Sequence, residues 1–361
     1  MQNRFFELLD ISAGLREDFT EPPRDAETWE DLYAQARKQS LLGITFEGVD
    51  RLHARRRLPL RIYAKWAMAA EKITERNRLQ LEQCRRLYAD FSRDGFRTCV
   101  LKGQGVGALY PNPLLRQSGD VDLWVEGSRD GIVRYLKARC PVRKIVYHHL
   151  DADFAGASHV EVHFTPSWMN AWGRNRRLQR YFAAKAPGQF AHYDEALGFC
   201  VPTPAFNAVY ILLHIYRHVL EEGVGLRQLL DYAYVLQSLP PEERDAVRAD
   251  LRSLSLASFS GAVAYVLQQI FHVPQDCFLF PPDGRSGRFL LEEVLLSGNF
   301  GQYDSRNAHD RKEGPLAHTF RKVRRGFRFF FRYPGEVLWM PAFMLWQYLW
   351  RWRHHYLYKG R

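Results

Sequence analysis

The spacing of apolar residues changes along this chain from a helical period to a strand period and back, and this switch limits the folds it can adopt. Residues 61–93 carry apolar side chains every three or four positions, which predicts one long amphipathic helix. Alternation and short buried runs follow. The predicted strands and extended stretches are 98–101, 121–125, 143–150 and 160–164. The helical period returns after about residue 175, so the order predicts a small sheet between helical arms.

With 361 residues and 46% hydrophobic residues, the chain is long and apolar enough for more than one hydrophobic core. We expect an α+β, predominantly helical fold. Four segments are expected: an N-terminal helical arm (1–95), a mixed-sheet α/β core (96–172), a helical C-terminal domain (173–320) and a basic aromatic tail (321–361).

The five cysteines are odd in number and never form a CxxC or CxxxC pair, which favours a reduced, cytoplasmic compartment. The first residues lack the apolar stretch of a signal peptide, and no run of 18 apolar residues occurs. We therefore expect a protein that is neither secreted nor membrane-spanning.

The net charge of +11 is concentrated at the C-terminus. Residues 321–361 hold ten Lys or Arg and one acid, Glu336, whereas the preceding 320 residues hold 41 basic and 39 acidic groups. Because the body is nearly neutral, a long RNA or DNA track is disfavoured, and any polyanion-binding argument applies to the tail alone.

Thirteen aromatic residues are interleaved with the cations of this tail. Arginine beside tryptophan and tyrosine is typical of a segment that lies at the interface of an anionic membrane. The uncharged stretch 337–350 is too short to span a bilayer. The alternatives are a helix packed against the body with solvated arginines and, third, stacking on nucleic acid. The sequence thus favours peripheral contact with the inner face of the membrane.

Asp120 and Asp122 lie two positions apart at a predicted strand, so their carboxylates leave the same face of the sheet. Glu161 lies between two valines in a later predicted strand, which would bring a third acid alongside. Convergent carboxylates are what a site for two Mg²⁺ ions requires, with Mn²⁺ as the alternative. This pattern predicts a metal site for in-line attack on a phosphate.

A glycine-rich turn, Leu101-Lys-Gly-Gln-Gly-Val-Gly107, precedes these acids. Glycine lets the backbone approach a triphosphate, and Lys102 can neutralise phosphate charge. The spacing matches neither a P-loop nor a dinucleotide-binding turn.

Several motifs together resemble the uncharacterised bacterial nucleotidyltransferase family of the DNA polymerase beta superfold. They are Leu101-Lys-Gly103, Leu109-Tyr-Pro111, Arg116, Gly119-Asp-Val-Asp-Leu123, Glu161-Val-His163, His214-Ile-Tyr-Arg-His218 and Gly225-Leu-Arg-Gln-Leu-Leu-Asp231. The similarity covers about residues 95–235. Two departures are that Gln104 stands where the superfold usually has Gly or Ser, and that its distance to Asp120 along the chain exceeds the usual spacing.

The resemblance implies transfer of a nucleoside monophosphate from an NTP to an acceptor, with release of pyrophosphate. Asp120 and Asp122 would hold both metal ions, and Glu161 would complete the second metal site and help to deprotonate the acceptor hydroxyl. The nucleotide-binding candidates are Lys102, Gly103, Gln104, Arg116, His163, His218, Arg227 and Asp231.

Some of these candidates have structural alternatives. Arg116 either binds phosphate or pairs with an acid. His214 and His218 share one helical face, a spacing able to hold zinc, but a buried pair or a polar wall of the cleft is favoured. Arg227 and Asp231 form either an intrahelical ion pair or part of the cleft. His148 and His149 are interpreted as ordinary strand residues.

The functional hypothesis is a metal-dependent nucleotidyltransferase with an NTP as co-substrate. Its acceptor would be a hydroxyl of a small molecule, a glycan, a lipid-linked compound or a protein. Two alternatives are a non-catalytic, membrane-associated scaffold or binding protein that retains the superfold, and a toxin-type nucleotidyltransferase that modifies tRNA or a protein.

Overall fold

The computed structural model describes residues 2–54, 58–156, 158–307, 315–354 and 356. Four helices open the chain: α1 (Gln2–Ser12), α2 (Ala26–Lys38), α3 (Leu42–Ala54) and α4 (Leu60–Arg93). The first of them begins well before the helical pattern that we detected in the sequence. The long helix predicted over 61–93 is confirmed as α4, whose 34 residues reach about 51 Å.

A five-stranded mixed sheet follows, as expected. Its strands are β1 (Thr98–Leu101), β2 (Val121–Val125), β3 (Val142–Ile145), β4 (His149–Ala152) and β5 (Val160–His163). The strands lie in the order β1-β2-β5-β4-β3, in which β2 and β5 are parallel and the other neighbours antiparallel. The extended stretch predicted over 143–150 is two strands, because the chain turns between Ile145 and His149.

The two faces of this sheet differ in character because side chains alternate along each strand. On one face Val121, Leu123 and Val162 join a hydrophobic cluster with Phe91 of α4 and Ile132 of α6 (Arg129–Lys137). The short helix α5 (Gly103–Gly107) follows β1 and precedes β2 in the chain. The opposite face carries the polar residues of the strands, and it points toward the helices that follow the sheet.

The rest of the chain is mainly helical. It comprises α7 (Trp172–Gln189), a hairpin of β6 (Tyr193–Asp194) and β7 (Phe199–Cys200), α8 (Pro204–Glu221), α9 (Leu226–Ser238), α10 (Arg244–Ser253), α11 (Ala257–Phe271) and α12 (Gly284–Ser297). The pattern over α7 is weak because few of its residues are apolar and because Gly173, Pro187 and Gly188 interrupt it. Apolar residues of the N-terminal helices and of α8 to α12 belong to one hydrophobic cluster.

The tail contains two helices, α13 (Pro315–Phe327) and α14 (Pro334–Arg353), while residues 355 and 357–361 lie outside the described part. Val337, Met340 and Phe343 are buried. The Phe343 ring lies 6.3 Å from that of Trp168 and 6.1 Å from that of Tyr147. One face of α14 therefore packs on the body, as in the packed-helix alternative. Among the described helices, none combines the length and the hydropathy required to cross a bilayer.

Candidate active site

The polar face of the sheet gathers its acids and histidines through strand register. Asp122 of β2 lies opposite Glu161 of the parallel strand β5. On the other side of β5, His149 and Asp151 of β4 lie opposite His163 and Glu161. Because paired residues of adjacent strands share a face, these five side chains form one continuous polar surface.

Asp122, Glu161 and His163 meet at its centre. The Nε2 atom of His163 lies 3.0 Å from Oδ1 of Asp122 and 3.5 Å from Oε2 of Glu161. The Nζ atom of Lys102 lies 2.7 Å from the same Asp122 oxygen. Asp122 and His163 are buried, so these charges interact with little solvent screening.

Lys102 reaches Asp122 from the turn between β1 and α5. Its φ is +51°, which is uncommon for a residue with a side chain, and the φ of Gly103 is +39°. A non-glycine residue in this region costs about 1–3 kcal/mol and clusters at functional sites. The strained turn holds the ammonium group against the acids.

These contacts shift the pKa values of the central groups. Burial opposes ionisation of Asp122, but Lys102 and His163 outweigh it and lower the pKa of this carboxyl. Burial likewise opposes ionisation of Glu161, but hydrogen bonding and charge from His163, together with His149, lower its pKa. Burial opposes protonation of His163, yet the two carboxylates raise its pKa. The cluster therefore stabilises two carboxylates beside two cations.

Asp120 lies at the mouth of the same cavity. It precedes β2 by one residue and is exposed, although it lines the same cavity as Asp122 and Glu161. Partial desolvation of its carboxyl at the mouth of the cavity and repulsion from those two acids raise the pKa of Asp120. The three acids thus face one cavity, with Asp120 at its solvent side.

The donor atoms suit a divalent cation. Across the described residues, three groups have ligand atoms within 4.8 Å of one another: Asp122–Glu161–His163, His149–Asp151–Glu161 and His148–His149–His163. None of these groups includes Asp120. The first two share Glu161 and combine carboxylate oxygens with imidazole nitrogen, a donor set that fits Mn²⁺ as well as Mg²⁺.

A cavity of about 460 Å³ opens above this cluster. Its floor is the polar face of the sheet, and its opposite wall comes from α8 and α9. Two residues from the tail helices also line it, Lys322 of α13 and Gln347 of α14. The tail therefore forms part of the site, which the sequence did not indicate.

A second buried carboxylate, Asp231 of α9, lines the cavity and is held by permanent charges. Arg116 contacts both of its oxygens, Nε to Oδ1 at 2.7 Å and Nη2 to Oδ2 at 2.8 Å. Arg227 donates to Oδ2 at 2.9 Å, and the Tyr110 hydroxyl donates to Oδ1 at 2.7 Å. Of the two interpretations offered for each arginine, the ion pair is therefore the one seen in the structure for Arg116 and for Arg227.

The α8 wall carries a second set of ion pairs. Arg217 lies 3.2 Å from Glu221, and Lys322 lies 3.4 Å from the same acid. His218 contacts Glu222 at 3.3 Å and its ring lies 4.3 Å from that of His214. Burial lowers the pKa of His214 far below its usual range. No metal-capable group found among the described residues contains this pair, so it forms a polar wall.

Gln104 does not line the cavity. Its side-chain amide is buried and donates to Gln80 at 2.8 Å and to Asn77 at 3.3 Å, both on α4. The side chain thus fastens the glycine-rich turn to α4, whereas Lys102 and Gly103 of the same turn face the cavity.

The sequence analysis missed His148, His149 and Asp151, which the structure places in the cavity wall. The Nε2 atom of His149 lies 3.2 Å from Oδ1 of Asp151, and its Nδ1 atom lies 2.6 Å from Nε2 of His148. The sequence did contain a signal for this part of the site, namely three titratable residues within four positions at the end of an extended stretch.

Residues 25–272 match the model of a family described as uncharacterised nucleotidyltransferase. No curated protein matches the chain. Because the match extends over more than half of the sequence, the chain belongs to this family, and it is an enzyme that transfers a phosphorus-containing group.

Proposed function

We propose that this nucleotidyltransferase transfers a nucleoside monophosphate from an NTP to a hydroxyl acceptor with the help of divalent cations. The acceptor oxygen forms a bond to the α-phosphorus, the bond from that phosphorus to the pyrophosphate oxygen breaks, and the hydroxyl proton passes to solvent water. The observation that carries the proposal is the in-register pairing of Asp122 with Glu161, with His163 Nε2 between their carboxylates.

Asp122, Glu161 and Asp120 are the proposed ligands of two divalent ions, Mg²⁺ or Mn²⁺, with His163 adjoining them. When bound, such ions neutralise charge that develops on the reacting phosphate. The lowered pKa of Glu161 favours a role as a metal ligand over a role as general base, since a strongly ionised carboxylate takes up a proton poorly.

Lys102 and Gly103 are proposed to face the β- and γ-phosphates. The support is that the Lys102 ammonium already lies beside the acids, on a turn whose backbone is open to the cavity. Arg116 and Arg227 are assigned to holding Asp231, because their guanidinium groups contact that carboxylate. His218 and Asp231 are proposed to shape the nucleotide end of the cavity.

The acceptor is proposed to enter the same cavity, whose walls carry charged and imidazole groups. These groups suit a hydroxyl of a small molecule, a glycan, a lipid-linked compound or a protein. We place the reaction in the cytoplasm, at the inner face of the membrane, which agrees with five cysteines that form no disulfide.

The test is transfer of label from each of four α-labelled NTPs into lysate and membrane fractions, with the parent and Asp122→Asn. We expect transfer by the parent and a loss of about 10²–10³-fold in the variant, as when one group that stabilises transition-state charge is removed. Asp153→Asn is the matched control, since Asp153 pairs with Arg143 outside the cavity and should keep full activity.

Equal transfer by Asp122→Asn and the parent would reject the proposed site. The scaffold alternative predicts no Mg²⁺-dependent binding of NTP in calorimetry. The toxin alternative predicts growth arrest on expression that Asp122→Asn relieves, with label recovered on tRNA or on a protein.

A further inference from the structure

One face of α14 is apolar and exposed, although the opposite face is buried. We call it the outward strip, and its residues are Leu338, Trp339, Leu345, Tyr348, Leu349 and Trp352. Each is between 45% and 65% exposed. Leu338, Leu345, Leu349 and Trp352 are separated by seven, four and three positions, which places them along one side of the helix, and Trp339 and Tyr348 flank this row on either side.

This concentration is unusual within the molecule. Of sixteen large hydrophobic side chains that are exposed among the described residues, eight lie between Phe327 and Trp352. They include Phe331, the most exposed of all at 92%. Contiguous exposed apolar surface of this kind marks a site that contacts a protein or a membrane.

The segment that carries the outward strip is strongly basic. Residues 315–354 contain eight Lys or Arg and one acid, Glu336. Glu336 is buried under the helix, where it accepts from the backbone N–H of Asn170 at 2.6 Å and lies 3.6 Å from Arg174. Lys322 and Arg325 of α13 and the adjacent Arg328 pair with acids of the body, so the cations at the two ends of α14 itself are Arg332, Arg351 and Arg353.

The inward face of α14 fixes the orientation of the strip. The Trp346 ring packs at 5.4 Å from that of Tyr147 and at 5.1 Å from that of Trp172. Arg129 lies over the Trp350 ring at 4.7 Å. These contacts hold the inward face of α14 against the body, so the row of Leu338, Leu345, Leu349 and Trp352 faces outward.

These features favour a lipid surface over a second copy of the chain. Two outward strips facing each other would bring together two segments of like charge, which repel. An anionic bilayer supplies the opposite charge for the arginines, an apolar boundary for leucine and a headgroup layer in which tryptophan and tyrosine rings are favoured.

We propose that the outward strip of α14 docks in the plane of an anionic membrane surface, with the helix lying along the bilayer. The leucine and tryptophan side chains enter the boundary between headgroups and acyl chains, and flanking arginines contact anionic headgroups. Gln347 on the opposite side lines the cavity, so docking holds the active site about one helix diameter, 10–12 Å, from the lipid. This inference is independent of nucleotidyl transfer.

Sedimentation with vesicles tests the proposal on the full chain. The parent should bind vesicles containing phosphatidylglycerol, and bind vesicles of phosphatidylcholine alone at least about tenfold more weakly. The variant Leu345→Glu/Leu349→Glu/Trp352→Glu should lose at least about tenfold of the affinity for anionic vesicles, because three charges would enter the apolar boundary.

The matched control changes three exposed apolar residues of α4, Leu60→Glu/Met68→Glu/Leu79→Glu, which lie far from the strip in sequence and are exposed to a similar degree. It adds the same negative charge and should bind anionic vesicles like the parent. Equal loss in both triple variants, or no vesicle binding by the parent, would overturn the proposal. Melting temperatures of all three proteins should agree, since every changed side chain is exposed.

Quenching by lipids with brominated acyl chains gives an independent measurement. Tryptophan fluorescence of the parent should fall on binding, and Trp339→Phe/Trp352→Phe should lose most of that quenching while still binding. Quenching that persists unchanged in the double variant would contradict the proposed orientation.

Asp122→Asn should bind vesicles like the parent, so a failure of docking and a failure of nucleotidyl transfer give different results. Concentration-dependent dimerisation of the parent that the strip variant abolishes would instead assign the strip to a second copy.

Discussion

Two buried carboxylates line the same cavity, Asp122 on the sheet and Asp231 on α9, and their partners differ. Asp231 is held by two guanidinium groups and a tyrosine hydroxyl, with Arg116 contacting both of its oxygens. Asp122 is held by an ammonium group and an imidazole. Both acids have a lowered pKa although burial opposes it.

The two carboxylates differ in whether the positive charges beside them are fixed in place and independent of pH. Guanidinium keeps its charge at any pH a protein experiences, and its planar fork matches a carboxylate. Lysine is a point charge on a flexible chain, and histidine can lose its proton near neutral pH. We therefore expect the carboxylate of Asp231 to serve mainly the stability of the fold, and that of Asp122 to remain available to an incoming cation.

The largest expected effect sharpens this contrast. Asp231→Asn leaves Arg116 and Arg227 buried without a counter-charge, so we expect the free energy of unfolding to fall by about 3–5 kcal/mol. The isosteric Asp122→Asn should destabilise less, because Lys102 is partly exposed and His163 can release its proton. Urea unfolding of both variants measures the difference, and a larger loss for Asp122→Asn would break the comparison.

A smaller effect is expected on the stability of the protein at low pH. The folded pKa of Asp231 lies below the ordinary value of 3.8, because Arg116 and Arg227 outweigh the effect of burial. Its stabilising contribution is thus complete above pH of about 4 and disappears as the pH falls through the folded pKa. We expect Asp231→Asn to flatten the decline of stability below pH 4. An unchanged slope in acid unfolding curves would contradict the ion-pair assignment.

The smallest effect is expected for Asp120, where removal of the charge should stabilise the protein instead of destabilising it. Partial desolvation and repulsion from Asp122 and Glu161 raise its pKa, so its charge at neutral pH is unfavourable. Asp120→Asn should stabilise the metal-free protein, by less than about 1 kcal/mol because solvent screens this exposed group. The same variant should weaken Mg²⁺ binding in calorimetry. Destabilisation together with unchanged Mg²⁺ affinity would remove Asp120 from the site.

Alternation of side chains predicted the strands that carry Asp122 and Glu161, because valine and leucine on the opposite face mark the buried side. The boundaries of β1 and β2 matched residue by residue. The weakly patterned α7 was missed, since glycine, proline and arginine interrupt its apolar spacing. Local pattern is thus informative where one face of an element is buried and the other is polar.

Strand order could not be predicted from the same pattern. The histidines at 148 and 149 enter the site because β4 pairs with β5 in antiparallel register, and alternation within a strand does not identify its neighbour. Lys322 contacts Glu221 across 101 positions of the chain. Such contacts arise from packing of distant helices, so the part that the tail plays in the cavity could not be predicted, whereas the resemblance had already indicated His218, Arg227 and Asp231 of α8 and α9.

The parallel pairing of β2 with β5 has a consequence for how this protein can change. Backbone hydrogen bonds hold β2 and β5 about 4.8 Å apart, the usual spacing of neighbouring strands, and this spacing separates the backbones of Asp122 and Glu161. The helices α8, α9, α13 and α14 line other parts of the cavity. We therefore expect substitutions in those helices to change which acceptor is modified while the separation of Asp122 and Glu161 stays the same.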